Sequence, residues 1–547
     1  MHDVMHSLRA LASAALLTLS SLAAALSPGV AERPTLAVII IIDGLPMRQL
    51  TAYREQFAPG GFRRFLDQGA WFAQAHFGHA LTHTAPGHAT LVTGASPRVH
   101  GIIANEWTEP ASGIEMYCAG DATHKYIGHP TGRGDGTSPK NLRMETIGDV
   151  LLRSSPASRV IAVSGKDRGA ILPAGKRGTA YMYMGGTGQF ASTTWYMKAH
   201  PPWVEAFNAA RPADAYLGRE WRPVLPEDAY RNSAPDGQTW YAMNLRLPVR
   251  YGGAQPDKAF YSSLLVGPFA DELSLAFARA AIAGEQLGGR GVTDLLVVGL
   301  SGHDYVNHSF SAESRLSHDH TLQVDRMLAA FFDHLDRTVG RGRYVAALSA
   351  DHGFAPAPEW ARSRGLDAGR IPPAGLLQRI ESALSARHGA GSWVRGFSAN
   401  GILLRRDTIA ARGLPLDAIA REAAKEAAAE PGIAAAVARA DIGLGRPGGP
   451  FAEALARSFD AERTPDLVWV PKPGWILSGR AAGTTHGAPH EYDTHVPMMF
   501  YGPGLIGAAR LDERVDMIDF APTLGRLLGI DAPAGAEGRA RALPAPR

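Results

Sequence analysis

Several short segments of this chain are apolar at every position, and two of them lead directly into carboxylate and imidazole side chains. The run at 294–300 precedes Asp304-Tyr-Val-Asn-His308, and the run at 344–350 precedes Asp351-His352. A strand that is apolar on both faces must be covered on both faces, which is typical of parallel sheets flanked by helices. The chain is therefore predicted to be an α/β protein.

Further strands are expected at 36–42, 159–164, 466–471 and 496–502, and helical segments alternate with them. This order predicts a three-layer α/β/α sandwich with a mostly parallel central sheet. We expect one catalytic domain over 32–531 with inserted cap regions at about 182–261 and 371–465. The segment 466–471 is expected to return to the central sheet. The tail 532–547, rich in Ala, Pro, Gly and Arg, is predicted to be disordered.

The N-terminal segment 1–31 is predicted to be a signal peptide. Residues 10–26 are uncharged and rich in Ala and Leu, and small residues follow at 27–31, where a signal peptidase could cut. The alternative is an uncleaved membrane anchor, but this stretch is barely long enough to span a bilayer. We therefore expect a periplasmic or secreted protein with no stable membrane span after cleavage.

Composition excludes some classes of partner and ligand. The net charge of +3 provides no bulk electrostatic basis for binding nucleic acid. Cys118 is the single cysteine, so no intrachain disulfide can form and a metal site must use mainly nitrogen and oxygen ligands.

Seven side chains that could bind metal lie at the predicted ends of strands or in the loops beside them. Such a number of Asp and His ligands would furnish two zinc sites of three or four ligands each. They are Asp43, Thr84, Asp304, His308, Asp351, His352 and His486.

Thr84 is the candidate nucleophile. Pro86 and Gly87 allow a helix to begin beside it, and a helix N-terminus attracts an anion. The alternative is that Thr84 only caps this helix, and the local sequence leaves both interpretations open. It also leaves Thr82 and Thr90 as alternatives.

Together these segments resemble the alkaline phosphatase superfamily. The resemblance rests on Ile42-Asp43-Gly44, Thr84-Ala-Pro-Gly-His, His100-Gly, Asp304-Tyr-Val-Asn-His308, Ser349-Ala-Asp-His-Gly353 and Thr485-His-Gly487, and it covers roughly 34–530. It is nearest to the secreted, phosphate-irrepressible alkaline phosphatases of the PafA type, which use a threonine nucleophile. The nucleotide pyrophosphatase/phosphodiesterases share the same core and are the main alternative.

The resemblance implies two zinc ions and hydrolysis of small phosphate monoesters through a phosphothreonine, with inorganic phosphate as the product. It assigns Asp304, His308 and His486 to one zinc. Asp43, Asp351 and His352 are assigned to the other, which also contacts Thr84. His490 and His495 are alternatives to His486, which is favoured because it stands in the Thr-His-Gly context.

Asn105, Lys166 and Arg168 are expected to bind the phosphoryl oxygens. A lysine and an arginine spaced two residues apart after a strand can both face the cleft, and a monoester dianion has more charge to meet than a diester. The PafA-type monoesterases have a matching set, so we expect a monoesterase with possible diesterase activity.

Three other functions could use residues of these types. A phosphodiesterase and a non-catalytic zinc-binding envelope protein remain open. A sulfatase is excluded, because Cys118 lacks the Cys-x-Pro-x-Arg context. Aromatic residues of the first insertion, such as Trp195 and Trp221, either grip a leaving group or form a core of their own. The sequence determines neither the natural substrate nor the oligomeric state.

Overall fold

The computed structural model describes residues 33–446 and 448–546, and the described residues from Pro34 onward belong to one compact unit. The predicted signal peptide lies outside the described residues. Within that part of the chain, no helix has both the length and the hydropathy to cross a bilayer.

The described chain alternates strands and helices along most of its length. The strands are β1 Leu36–Ile42, β2 Ala70–His76, β3 Glu106–Thr108, β4 Glu115–Tyr117, β5 Val160–Ser164, β6 Thr179–Met184, β7 Gln189–Ala191, β8 Glu220–Trp221, β9 Val249–Arg250, β10 Asp294–Leu300, β11 Tyr344–Ser349, β12 Gly369–Ile371, β13 Val394–Ser398, β14 Gly401–Leu404, β15 Ile433–Ala438, β16 Leu467–Pro471, β17 Trp475–Leu477, β18 Met498–Tyr501 and β19 Ala509–Asp516. The α-helices are Met47–Ala52, Phe62–Gln68, Thr84–Thr93, Pro97–His100, Ile147–Ser154, Asp167–Ala174, Pro202–Ala209, Lys258–Ser263, Phe269–Glu285, Gly302–Phe310, Arg315–Leu335, Pro358–Ser363, Pro373–His388, Arg406–Ala411, Leu416–Ala428, Arg439–Gly443, Ala452–Ser458, Glu491–Thr494 and Phe520–Leu528.

Nine strands form the central sheet, in the order β19-β2-β18-β11-β1-β10-β5-β6-β7. Five of the eight pairings within it are parallel. Strand β1 lies in the middle and is buried at all seven positions, because β10 and β11 pair with its two edges and other elements cover both faces. The predicted α/β fold with a mostly parallel central sheet is confirmed.

Three parts of the sheet differ from the sequence prediction. Strands β2 and β19 were not expected, because Gln74 interrupts the first and β19 is a mostly polar edge strand. The segment 466–471 was expected in the central sheet, but β16 pairs with β14 and β15 in a separate four-stranded sheet. An apolar run indicates a buried strand without indicating which sheet contains it.

The first insertion begins later than predicted, because β6 and β7 still belong to the central sheet. It is anchored by the buried carboxylate of Asp319, which accepts hydrogen bonds from Trp221 Nε1 at 2.6 Å and the Val224 amide at 2.7 Å. Trp221 is 1% exposed and Tyr241 is 8% exposed. These aromatic side chains therefore pack into the protein core.

The second insertion has a core of its own. It lies between the helices Pro373–His388 and Leu416–Ala428 and the four-stranded sheet, and includes Trp393 and Leu467. This hydrophobic cluster is separate from the one that surrounds the central sheet.

The C-terminal tail was predicted to be disordered, but residues 532–546 follow a defined path. The Glu537 amide donates to Gly94 O at 2.8 Å, and Arg541 pairs with the buried Asp519. These polar contacts hold a segment whose only large apolar residue is Leu543, which is why its composition alone was misleading.

Candidate metal and phosphoryl site

Four neighbouring parallel strands bring the predicted site residues to one edge of the central sheet. In the order β11, β1, β10 and β5, their carboxyl ends lead to Asp351 and His352, then Asp43, Asp304 and Lys166. The carboxyl edge of such a sheet is where open α/β proteins bind ligands. The strand order therefore makes neighbours of residues that are up to 309 positions apart in sequence.

The first cluster surrounds the carboxylate of Asp304, which is 2% exposed. Its Oδ1 lies 3.4 Å from His308 Nε2, 3.6 Å from His486 Nε2 and 4.0 Å from His352 Nε2. The tightest set of possible ligands contains Asp304, His352 and His486. His308 completes the predicted trio from one turn further along the helix Gly302–Phe310.

The second cluster contains Asp43, Asp351 and His352, the three residues predicted to share a metal. His352 Nε2 lies 3.4 Å from Asp43 Oδ1 and 3.6 Å from Asp351 Oδ2. His352 also stacks on His486, with ring centroids 3.5 Å apart. The two clusters are therefore adjacent and meet at His352.

The three histidines all direct Nε2 toward the carboxylates. A backbone carbonyl can only accept a hydrogen bond, so the Nδ1 atom that faces one must carry a proton, and in the neutral form of each ring Nε2 holds the lone pair. The carbonyl acceptors are Thr484 O for His308 at 2.9 Å, Gly353 O for His352 at 2.8 Å and Thr82 O for His486 at 2.7 Å.

The buried atoms at the centre of the two clusters lack hydrogen-bond partners within the described residues. They are Asp43 Oδ1, Asp304 Oδ1, Asp351 Oδ2 and His352 Nε2. Buried polar atoms are normally paired, and carboxylates at this density require compensating positive charge. This donor set of oxygen and imidazole nitrogen fits two divalent cations.

The charges of the clusters shift their pKa values strongly. Burial lowers the pKa of the His352 imidazole, but the carboxylates of Asp351 and Asp43 outweigh burial and raise it to about 9. Burial raises the pKa of Asp43, yet the Lys166 ammonium and the hydrogen bond and charge of His352 together outweigh burial and hold that pKa below its usual range. Carboxylates that attract a proton to His352 would also attract a metal cation, which would displace that proton.

The two alternative C-terminal histidines point elsewhere. His490 Nε2 lies 2.7 Å from Pro471 O, and His495 Nε2 lies 2.9 Å from Ala73 O. Each ring is thereby engaged away from Asp304, whereas His486 lies beside it.

Thr84 is the first residue of the helix Thr84–Thr93, and the N-cap position belongs to His83. The alternative role of Thr84 as the cap is therefore wrong. Thr82 donates its hydroxyl to Ala488 O at 3.1 Å, and the Thr90 hydroxyl lies 3.2 Å from His100 Nε2. Both alternative hydroxyls are thus engaged away from the clusters.

The helix that begins at Thr84 lies directly against the second cluster. A Cβ built on Gly87 would lie 2.0 Å from Asp351 O, so only glycine allows this approach. His88 Nδ1 lies 3.0 Å from Thr84 O and 3.2 Å from Asp351 Oδ2. These contacts position the helix start, with the positive end of its dipole, beside the candidate metal ligands.

Lys166, Arg168 and Asn105 lie around this helix start. Lys166 Nζ is 2.5 Å from Asp304 Oδ2 and 2.7 Å from Asp43 Oδ2, so its ammonium bridges the two clusters. Asn105 Oδ1 accepts a hydrogen bond from the Ala85 amide at 2.8 Å. Arg168 donates to the Tyr117 hydroxyl at 3.3 Å from the first turn of the helix Asp167–Ala174.

Two residues of the site were missed by sequence reasoning. His83 lies with its ring 5.4 Å from that of His486, and burial together with the charges of His352, His308 and Arg168 lowers its pKa to about 3. Asp493 is buried and accepts hydrogen bonds from the Gly487 and Ala488 amides, both at 2.8 Å. The position of His83 beside Thr84 was a usable signal, whereas nothing in the sequence around Asp493 indicated its role.

Comparison with known proteins identifies relatives over nearly the whole chain. The sequence profile of the type I phosphodiesterase/nucleotide pyrophosphatase family matches residues 37–495. Alkaline phosphatase PafA of Elizabethkingia meningoseptica is 31% identical over 96% of each chain. Alkaline phosphatase PhoV of Synechococcus elongatus is 32% identical over 94% of this chain and 93% of its own.

The fold also matches solved structures. The crystal structure of wild-type PafA superposes with a TM-score of 0.86 at 30% identity, covering 93% of this chain and 98% of PafA. A PafA variant in which a threonine, an asparagine, a lysine and an arginine are replaced gives a TM-score of 0.85 with the same coverage and identity.

Proposed function

Because this chain belongs to the type I phosphodiesterase/nucleotide pyrophosphatase family, within the alkaline phosphatase superfamily, we propose that it is a zinc-dependent alkaline phosphatase. In this proposal Thr84 is the nucleophile and small phosphate monoesters are the substrates. The membership confirms the resemblance inferred from the motifs. Relatives of near-full length that are alkaline phosphatases confirm the predicted enzyme class.

The observation that carries the choice of monoesters is the position of Lys166. Its ammonium lies within 2.7 Å of a carboxylate from each cluster, where a phosphoryl group bridging the clusters would meet it. A monoester dianion has one more negative charge and one more non-bridging oxygen than a diester monoanion. A cation at this point therefore favours the monoester.

In the proposed reaction the Thr84 hydroxyl oxygen attacks phosphorus and the ester oxygen leaves, giving a phosphothreonine that water then hydrolyses to inorganic phosphate. Two zinc ions would supply the positive charge that makes the threonine hydroxyl a nucleophile and stabilises the leaving oxygen. Asp304, His308 and His486 would hold one ion, and Asp43, Asp351 and His352 the other. Asn105, Lys166 and Arg168 would orient the phosphoryl oxygens, and the two cations together with the positive end of the helix dipole at Thr84 would balance their charge.

The relative whose structure was solved as a variant supports these roles. Its four replaced residues are a threonine, an asparagine, a lysine and an arginine, the same types as Thr84, Asn105, Lys166 and Arg168. We therefore expect these four positions to act together in the site of this chain.

The test compares turnover of p-nitrophenyl phosphate and bis-p-nitrophenyl phosphate. We expect the wild type to prefer the monoester, and Lys166→Ala and Arg168→Ala to reduce kcat/KM for the monoester far more than for the diester. Lys176→Ala, at an exposed position two residues after the helix Asp167–Ala174 ends, is the matched control and should change neither.

Each alternative function has its own outcome in this test. Equal losses on both substrates would contradict the monoesterase proposal and favour a phosphodiesterase. Bound zinc without turnover of either substrate would favour a non-catalytic zinc-binding protein. Metal analysis of the purified protein supplies the zinc content for both comparisons.

We further propose that the enzyme acts in the periplasm or is secreted. The apolar stretch at 10–26 and the small residues after it support export. N-terminal sequencing of the native protein should find a start near residue 32, whereas a retained Met1 would contradict this.

A further inference from the structure

A cavity of about 690 Å³ opens beside the proposed phosphoryl site. His83, the residue before Thr84, and Asn105 form its inner end. Its outer walls come from the hairpin of β3 and β4 and from the end of β13 in the second insertion. A volume of this size is typical of sites that enclose a small organic ligand.

The cavity is placed to receive the ester group of a substrate. A phosphoryl group at Thr84 would lie between Asn105, which bonds the Ala85 amide, and His83, whose ring faces His486. Both of these residues also line the cavity, so the remainder of the substrate has direct access to it. This step rests on the proposed function.

One part of the cavity wall is apolar and aromatic. Trp107 and Met116 face each other across the hairpin as a strand pair, and Phe397 comes from the second insertion. Trp107 is 2% exposed and packs beneath the Arg463 guanidinium, 4.8 Å from the centre of its ring system. Such a wall favours a ring-bearing group over a small polar alcohol.

The outer part of the cavity is acidic. Glu106 and Glu115 line it with exposed carboxylates, while the lining includes one guanidinium, that of Arg133, 3.6 Å from Glu115. The inner end lies toward the cations Lys166 and Arg168. The site is therefore positive where the phosphate binds and carries excess negative charge where the ester group would extend.

We propose that this cavity is a leaving-group site that selects phosphate monoesters of aromatic alcohols without negative charge. Glu106 and Glu115 are its specificity-determining residues, because they repel a second anionic group on the leaving alcohol. Met116 and Phe397, which line the cavity and are partly exposed, bind the ring. The aromatic residues of the first insertion do not line this cavity, so they are not the grip that the sequence suggested as one alternative.

The test uses para-substituted phenyl phosphates that carry a methyl, a carboxylate or a trimethylammonium group. For each substrate, kcat/KM of Glu106→Gln and Glu115→Gln is divided by that of the wild type at low salt, which cancels the intrinsic reactivity of the ester. We expect each variant to gain about 2–5-fold in kcat/KM on the phenyl phosphate that carries the carboxylate and to lose a similar factor on the one that carries the trimethylammonium group. The kcat/KM for the phenyl phosphate that carries the methyl group should stay unchanged. These effects should shrink in 1 M salt.

Two further variants sharpen the test. Glu109→Gln removes a carboxylate of the same hairpin that does not line the cavity and should leave all three ratios unchanged. Phe397→Ala should lower kcat/KM for para-methylphenyl phosphate relative to kcat/KM for ethyl phosphate, by about 3–10-fold. Inhibition constants of the matching aryl phosphonates provide a readout that needs no turnover.

The possible failures are distinguishable. Ratios and inhibition constants that do not depend on leaving-group charge in the Glu106 and Glu115 variants would overturn the proposal. An absence of turnover with every phenyl phosphate would instead contradict the proposed function. In that case calorimetric binding of the charged and neutral phosphonates still decides whether the cavity discriminates by charge.

Discussion

At the scale of single residues, the candidate metal ligands are oriented before any metal binds. His308, His352 and His486 each donate Nδ1–H to a backbone carbonyl, which fixes the ring and directs the Nε2 lone pair inward. Second contacts of this kind fix the tautomer and orientation of metal ligands. His486 differs from its neighbours in its hydrogen bonds, since His490 and His495 use Nε2 for carbonyls outside the clusters.

Of the three C-terminal histidines, His486 is predicted to be the metal ligand. His486→Ala should lower zinc affinity by more than about 100-fold, because removing a ligand costs more than removing one of its supporting contacts. His490→Ala should leave zinc affinity within about 3-fold of the wild type, since that ring bonds Pro471 O. Competition with a chromophoric chelator measures both. Normal zinc binding by the His486 variant would contradict the assignment.

Thr84 is distinguished from the neighbouring hydroxyls by its position at the helix start. Thr84→Ala should reduce kcat on p-nitrophenyl phosphate by at least about 10³-fold with zinc content unchanged, because loss of a nucleophile leaves only binding and electrostatic catalysis. Thr90→Ala, which removes a hydroxyl bonded to His100, is the control and should keep most of the activity. Substantial turnover by the Thr84 variant would rule out the nucleophile assignment.

At the scale of secondary-structure elements, the site depends on how closely loops and one helix approach the strand ends. Asp493 holds the loop after His486 through two amide hydrogen bonds, and its carbonyl accepts from the Gly353 amide at 2.6 Å. One short segment therefore supports both the His486 loop and the loop after His352. The helix Thr84–Thr93 reaches the second cluster because Gly87 has no side chain.

Gly87→Ala should therefore displace the helix start. Its Cβ would meet the backbone oxygen of Asp351 at 2.0 Å, and a backbone atom in a packed core cannot move aside cheaply. We expect a loss of about 1–3 kcal/mol in the free energy of unfolding and a lower kcat. Urea denaturation measures the first quantity. Gly186→Ala, where the new Cβ meets nothing within 4 Å, is the control and should be neutral; equal effects of the two substitutions would contradict the packing argument.

At the scale of the whole molecule, the two clusters tie together segments from both ends of the chain. Asp43 lies near the start of the described chain, Asp304 and Asp351 in its middle, and His486 near its end. A ligand that binds only the folded state stabilises it by mass action. Metal binding and global stability should therefore be linked.

Removal of metal should lower the melting temperature. At zinc concentrations about 100-fold above Kd, each site contributes about 2.7 kcal/mol to the stability of the folded state. Differential scanning calorimetry before and after dialysis against a chelator measures the change, and added zinc should reverse it. An unchanged melting temperature would show that the clusters do not bind metal tightly.

Much of the fold was predictable because its signals are local. Strands such as β1 and β11 are apolar at every position, which only a doubly covered sheet accommodates. Strand β19 was missed because an edge strand can remain polar, and β16 was assigned to the wrong sheet because hydrophobicity does not specify a partner. The tail was misjudged because Glu537 and Arg541 hold it through contacts with residues far away in sequence.

The sequence by itself determined the kinds of groups in the site and the ends of strands at which they lie, because side-chain chemistry and hydrophobic pattern are properties of short segments. Tertiary structure decided which of them meet. It placed His486 rather than His490 beside Asp304, placed Lys166 between Asp43 and Asp304, and formed a cavity from a hairpin and a distant insertion. Those outcomes depend on distances between residues far apart in the chain, and the order of strands in the sheet sets such distances.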